Sequence, residues 1–130
     1  MTPGAAMQLD TLRTISSKDA PLAPADRPID LVHLARTTLG DRSLEREVLQ
    51  LFDRQTTLLI ARMRKAAPGG VVNLAHTLKG SALGIGAWRV ARAAEALEVA
   101  DMLEASVALD RLSAAADEAR AVIAELLKAN

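Results

Sequence analysis

The chain has no cysteine, and Phe52 and Trp88 are the only aromatic residues among its 130. Without cysteine it can form neither a disulfide framework nor a thiolate zinc site. Sixteen basic residues balance sixteen acidic ones, so we expect no overall attraction to nucleic acid or to an anionic membrane. The sequence also lacks a secretory signal pattern and any apolar run of about 18 residues. We therefore expect a cytoplasmic protein that binds neither nucleic acid nor membrane.

Alanine and leucine dominate what is present, and half of the residues are hydrophobic, a composition that favours helices over strands. A chain of this length is close to the usual size of one compact domain. Residues 1–27 mix proline, glycine, serine and charged residues without a sustained period, which predicts a flexible N-terminal tail. The single domain is then expected over residues 28–130.

Capping signals and apolar spacing predict two helices in the first half of this domain. A short one is expected at 30–39, with Asp30 as its N-cap and Gly40 as its left-handed stop. A longer one is expected from Ser43 to about residue 65. Its predicted apolar stripe consists of Leu44, Val48, Leu51, Phe52, Leu58, Leu59 and Met63.

Three further helices are predicted after a break. The segment APGG at 67–70 is interpreted as a turn, because proline and two glycines disfavour a helix interior. Helices follow at about 71–84, closed by Gly84 and Gly86, and at about 87–103. In the last helix, apolar residues from Leu109 to Leu126 recur in steps of three and four, the spacing of an antiparallel bundle seam. The sequence thus predicts an all-α fold: an antiparallel four-helix bundle over 43–128, with the additional short N-terminal helix across one end.

The stretch AHTLKGSALGIGA at 75–87 places a histidine on the outer face of the third long segment. At 100° per residue, the core-facing leucines fall opposite this histidine. Within about 60° of His76, on its own face, lie Val72, Lys79, Gly80 and Leu83. A lone helical histidine is most often a buried core residue, but this spacing predicts an exposed imidazole.

The neighbours of the imidazole favour a functional interpretation. A glycine inside a helix costs about 1 kcal/mol relative to alanine, and Gly80, having no Cβ, leaves space beside the ring for another protein. Lys79 supplies a cation that can meet a phosphate or a carboxylate. Val72 and Leu83 are apolar residues on an exposed face, which favours a docking surface. His33, on the short helix, has no such neighbours and is interpreted as a surface residue.

This string resembles the signature of the histidine-containing phosphotransfer (HPt) domain family. In that signature a hydrophobic residue stands second after the histidine, followed by Lys, Gly and a small residue, with a Gly-Ala pair about ten residues on. The matching residues are Leu78, Lys79, Gly80, Ser81, Gly86 and Ala87. The pair at 97–98 and the segment 49–52 are similar to further positions, so the resemblance covers about residues 30–128. Gly84 stands where the family more often has Asn or another polar residue.

The resemblance implies a carrier of phosphoryl groups in a multistep His-Asp phosphorelay. His76 would accept the group from one receiver aspartate and pass it to another, with Lys79 stabilising the phosphoryl group and Gly80 giving access to it. The implied partners are response-regulator receiver domains and a hybrid or sensor histidine kinase. The divalent metal, magnesium, would belong to the receiver, so no cofactor or metal site is expected on this chain. We expect a free-standing monomer without an ATP-binding module, a carrier and not an enzyme.

Two polar residues are further candidates for partner docking. Gln55 interrupts the apolar stripe of its helix and would either hydrogen-bond His76 or be a surface amide. Arg89, with Arg92 one turn later, would either solvate its own helix face or meet the acidic rim of a receiver. The sequence leaves both pairs of alternatives open.

Two other functions also place a histidine on a helical bundle. In the dimerisation and phosphoacceptor segment of a sensor kinase, the histidine is usually followed by Glu and, a few residues later, by Pro. Here Thr77 follows, Ser81 occupies the fifth position, and no glycine-rich phosphate loop is present. The second alternative is a non-catalytic helical adaptor whose histidine carries nothing. An acid-labile phosphate on His76 would exclude the adaptor.

Overall fold

A computed structural model describes residue 23 and residues 26–129 of the chain. Within these residues the secondary structure is helical, without a strand: α1 (Leu31–Thr37), α2 (Arg42–Lys65), α3 (Pro68–Ile85), α4 (Trp88–Val99) and α5 (Ala105–Lys128). The all-α class is therefore confirmed for this part of the chain. The predicted tail, residues 1–27, lies almost entirely outside the described residues. None of the helices described is long and apolar enough to cross a membrane.

Three helix boundaries differ from the predicted ones. The side chain of Asp41, and not that of Ser43, caps α2. α3 starts at Pro68, inside the predicted turn, because a proline at the first helical position lacks an amide proton that the helix would leave unbonded anyway. α4 ends at Val99 instead of near residue 103. Beyond it the Asp101 carboxylate accepts hydrogen bonds from the amides of residues 103 and 104, which satisfies them without a helix.

The buried side of α2 differs from the predicted stripe. Its buried residues are Leu49, Phe52, Thr56, Leu59 and Met63. Leu44, Leu51 and Leu58, which were expected to face inward, are exposed. The core-facing side of α2 includes the polar Thr56. A stripe predicted from apolar residues alone omits this position and includes leucines that lie on the exposed side of the helix.

Each of the four longer helices packs against the next one along the chain, and α5 also packs against α2. Three polar contacts between α2 and α5 show how these helices run. They join Arg46 to the carbonyl of Leu127, Asp53 to Arg120, and Arg64 to Asp110. Residue numbers rise along α2 as they fall along α5, so the two helices run in opposite directions.

The contact between α3 and α4 is the most extensive one among the described helices. The buried alanines of these two helices and of the turn between them are Ala75, Ala82, Ala87, Ala91 and Ala94. Because an alanine side chain ends at Cβ, the helices can approach closely, and longer side chains at the edges of the contact can meet across it. The contact between α3 and α4 positions the candidate site.

The short helix α1 is held at the turn between α3 and α4. The Asp30 amide donates to the Gly86 carbonyl at 2.9 Å, and the Asp30 carboxylate accepts from the Trp88 indole at 2.9 Å and from the His33 amide at 3.1 Å. Gly86 has a φ of 81°, and a Cβ on it would lie 3.0 Å from the Asp30 carbonyl oxygen, so the turn requires glycine. The rings of His33 and Trp88 pack edge to face, with centroids 4.7 Å apart. His33 is half-buried, so its interpretation as a simple surface residue is wrong.

Candidate functional site

His76 lies near the middle of α3 with 73% of its side chain exposed. On the other face of the helix, Ala75 and Leu78 are fully buried. The core thus holds one side of α3 and leaves the imidazole pointing outward, which is the placement that the helical period predicts.

Glu98, near the end of α4, lies between His76 and Lys79. Its Oε1 is 3.1 Å from Nδ1 of His76, and its Oε2 accepts a hydrogen bond from Nζ of Lys79, also at 3.1 Å. Only 13% of the Glu98 side chain is exposed, so the carboxylate sits in the α3–α4 contact and joins the two helices. The sequence alone does not identify Glu98 as a site residue, because it contains no distance between helices. The resemblance at 97–98 is the one signal that points to this position.

The charges of this group determine where the imidazole carries its proton. The hydrogen bond from Lys79 is the largest cause that lowers the pKa of the Glu98 carboxyl; burial acts in the opposite direction, and the contact with His76 lowers the pKa further. A carboxylate can only accept hydrogen bonds, so the proton between Glu98 and His76 belongs to Nδ1. The neutral imidazole then has its free lone pair on Nε2.

Lys79 and Gly80 complete the surface around His76. The Lys79 side chain is 23% exposed, and its ammonium is paired with Glu98, so its charge is shared with that carboxylate. Gly80 is exposed, and a Cβ built on it would meet nothing within 4 Å. Helix packing does not require glycine at this position, and the space beside the imidazole is open.

The two apolar candidates lie on either side of His76 along α3, and both are exposed. Val72 borders a depression of about 230 Å³ at the end of the bundle where the 100–104 connection lies. Leu83 borders a larger depression, of about 480 Å³, in the groove between α3 and α4. The other residues that line the larger depression are Lys79, Trp88, Ala91, Arg92 and Glu95.

The structure gives Gln55 a role that differs from both of the alternatives left open by the sequence. Its side-chain oxygen accepts a hydrogen bond from the Ser81 hydroxyl at 3.2 Å, and the residue is half-buried. Gln55 therefore ties α2 to α3, and neither the expected bond to His76 nor a free surface amide describes it.

Arg89 also has a partner away from the imidazole. Its guanidinium lies 3.4 Å from a carboxylate oxygen of Glu118 on α5, so the side chain reaches toward α5. Arg92 lines the depression that Lys79 and Leu83 share. Of the two arginines, Arg92 is thus the one that the structure brings to the groove beside the site.

Among the residues that the structure describes, no group of three or more His, Asp or Glu side chains could hold a metal ion.

A family model described as Hpt domain matches residues 42–126, from the start of α2 to near the end of α5. This range includes His76 and Glu98 and leaves α1 outside. Searches of curated proteins and of solved structures returned no match.

Proposed function

Because the chain belongs to the HPt domain family, whose members act in His-Asp phosphorelays, we propose that it carries a phosphoryl group on His76 between the aspartates of receiver domains. The observation that supports this most is the exposed imidazole, whose Nδ1 lies 3.1 Å from Glu98. Because a carboxylate only accepts hydrogen bonds, this contact favours the tautomer with its free lone pair on Nε2. The partners are response-regulator receiver domains and a hybrid or sensor histidine kinase. The chain acts as a carrier and not as an enzyme, and it needs no cofactor of its own, since the receiver supplies the magnesium ion.

In the proposed reaction, Nε2 of His76 attacks the phosphorus of the receiver's aspartyl phosphate. A bond forms between Nε2 and phosphorus, the bond from phosphorus to the aspartate oxygen breaks, and the aspartate leaves as a carboxylate. Gly80 leaves room for the receiver to approach in line, and Lys79 adds positive charge near the phosphoryl oxygens. Val72 and Leu83 contribute apolar contacts to docking.

We also infer that the four longer helices form an antiparallel bundle. The opposite directions of α2 and α5 support this arrangement. So do the short connections 66–67, 86–87 and 100–104, because a short connection favours antiparallel neighbours. In such a bundle α3 and α4 are neighbours, and the exposed imidazole of α3 lies beside Glu98 of α4.

Labelling from a phosphorylated receiver tests the proposal. The chain should acquire phosphate at one acid-labile, alkali-stable site. His76→Gln should remove the label, because Nε2 of this residue is the proposed acceptor, whereas His33→Gln should keep it. Circular dichroism of both variants verifies that each is folded, which matters because His33 contacts Trp88.

Two results would contradict the carrier function. Label that persists in His76→Gln would mean that another residue accepts the group. If no receiver of the same organism labels the wild-type chain, a non-catalytic helical adaptor would be favoured instead.

A further inference from the structure

Glu98 is placed to respond to a change of charge on the imidazole. Each of its carboxylate oxygens meets one partner, Nδ1 of His76 or Nζ of Lys79, at 3.1 Å. The residue is mostly shielded from water, whereas the imidazole is mostly exposed. Glu98 therefore contacts one ring nitrogen and leaves the other accessible to a partner.

We propose that Glu98 keeps the phosphorylated imidazole protonated at Nδ1, and that phospho-His76 thereby stays ready to donate its phosphoryl group at neutral pH. This inference rests on the proposed function and extends it from the accepting to the donating half of the carrier's cycle. Glu98 acts through His76, so it is a positioning residue.

The proton balance of the transfer shows why this matters. Before transfer the neutral ring has one proton, on Nδ1, and a lone pair on Nε2. When that lone pair forms the bond to phosphorus, the ring keeps its Nδ1 proton and becomes a cation. In the donating step the bond from Nε2 to phosphorus breaks and its electron pair returns to the ring. A cationic ring then leaves as neutral imidazole, whereas a ring that had lost its Nδ1 proton would have to leave as an anion, which is a poorer leaving group.

Among the described residues, the charged groups that face the imidazole come from α3 and α4. Lys79 belongs to α3 itself, and Glu98 on α4 touches the ring. Arg92 and Glu95, also on α4, line the groove farther along, beside Lys79. From α2, the side chain in hydrogen-bond contact with α3 is the uncharged Gln55. α1 contacts α3 at the C-terminal end of α3, at the turn after residue 85 and not beside the imidazole.

The two nearest charges act on the Nδ1 proton in opposite directions. Loss of this proton would leave two lone pairs, one from the ring and one from Glu98, facing each other at 3.1 Å. The carboxylate therefore favours the protonated ring. Lys79 offsets part of the carboxylate's charge and is itself a cation near the ring, so it disfavours the protonated form. Because Glu98 touches the ring directly, its effect is the larger one.

An NMR titration of the full-length chain, phosphorylated with phosphoramidate, tests this inference. The ¹⁵N shifts of the phospho-His76 ring report the pH midpoint at which Nδ1 loses its proton, and the spectrum of His76→Gln assigns the signal. Glu98→Gln should lower this midpoint by roughly half to one pH unit, and Lys79→Gln should raise it. Above both midpoints, transfer from the Glu98→Gln protein to an unphosphorylated receiver should be about three- to tenfold slower than from wild type.

Glu95→Gln is the matched control, because it removes the same charge one turn earlier on α4. It should shift the midpoint less than Glu98→Gln does. Equal shifts in the two variants, or an unchanged midpoint in a folded Glu98→Gln protein, would overturn the inference and leave the carrier function intact. If Glu98→Gln does not fold, Lys79→Gln decides, and a midpoint that stays or falls overturns the inference. Absence of any phosphohistidine signal from His76 would overturn the proposed function itself.

Discussion

Three glycines of the site region differ in what a side chain would meet at each of them. Gly80 and Gly84 lie inside α3 on its exposed side, and a Cβ on either would meet nothing within 4 Å. At Gly86 a Cβ would lie 3.0 Å from a backbone oxygen of Asp30, and φ is 81°. The fold thus requires glycine at position 86. At positions 80 and 84 packing does not require glycine, and each of these glycines lowers helix stability by about 1 kcal/mol relative to alanine.

Substitution of Gly80 should separate folding from transfer. Gly80→Ala should leave stability unchanged or increase it by up to about 1 kcal/mol, since alanine is the better helix former. A side chain at this position leans toward the helix N-terminus, over the imidazole, so transfer should fall from Gly to Ala and further to Gln or Leu. Thermal unfolding followed by circular dichroism, together with a transfer assay, measures both effects.

Gly84→Ala is the matched control for this prediction. It lies one turn farther from His76 in the same helix and is equally open, so it should gain similar stability while transfer is retained. If Gly80→Ala unfolds the protein instead, the face that carries His76 packs more closely than the structure shows. If Gly84→Ala slows transfer as much as Gly80→Ala does, access to the imidazole is not the reason for Gly80.

At the scale of the elements, Asp30 joins α1 to the turn between α3 and α4. The Trp88 indole, and after it the His33 amide, lower the pKa of the Asp30 carboxyl below its ordinary value. The folded state therefore binds this proton less readily than the unfolded chain does. The resulting stability is fully present above the unfolded pKa, about 3.9 for an aspartate, and is lost as the pH falls through the lower folded pKa.

The stability of the protein should therefore fall at acid pH in a way that depends on Asp30. Thermal melts between pH 7 and pH 3, followed by the fluorescence of Trp88, should show a decline below about pH 4. The decline should be shallower in Asp30→Asn, because asparagine can still cap α1 but does not titrate. Since the other carboxylates are the same in both proteins, the difference between the two curves isolates Asp30. Identical slopes would mean that the bond to Trp88 does not affect the ionisation of Asp30.

At the scale of the whole molecule, the proposed function predicts that phosphate comes from a partner. The described part of the chain consists of helices and their connections and includes no α/β unit of the kind that binds nucleotides. With ATP and magnesium alone, we expect the pure chain to remain unlabelled, and to gain phosphate only when a kinase and a receiver are supplied. Radiolabelled ATP provides the measurement, and His76→Gln in the complete mixture gives the background. Labelling of the isolated chain would favour the dimerisation-type bundle of a sensor kinase.

The sequence by itself determined the features of this protein that depend on neighbours along the chain. Apolar spacing and caps placed the helices to within a few residues, and the 100° rotation per residue placed His76 on the outer face of α3 together with Lys79, Gly80, Val72 and Leu83. The errors were also local. The buried side of α2 was misplaced because it includes the polar Thr56. The start of α3 was misplaced because Pro68, interpreted as a helix breaker, is the first residue of that helix.

Only the tertiary structure decided which side chains meet across helices. Glu98 reaches His76 and Lys79 from α4, Gln55 meets Ser81 instead of His76, and Arg89 reaches Glu118 on α5. The sequence predicts the direction of each side chain from its own helix axis, but these contacts also depend on the distance and rotation between two helices. Those quantities follow from the packing of the buried residues, among them the alanines of α3 and α4, because small side chains allow close approach wherever the rest of the core permits it.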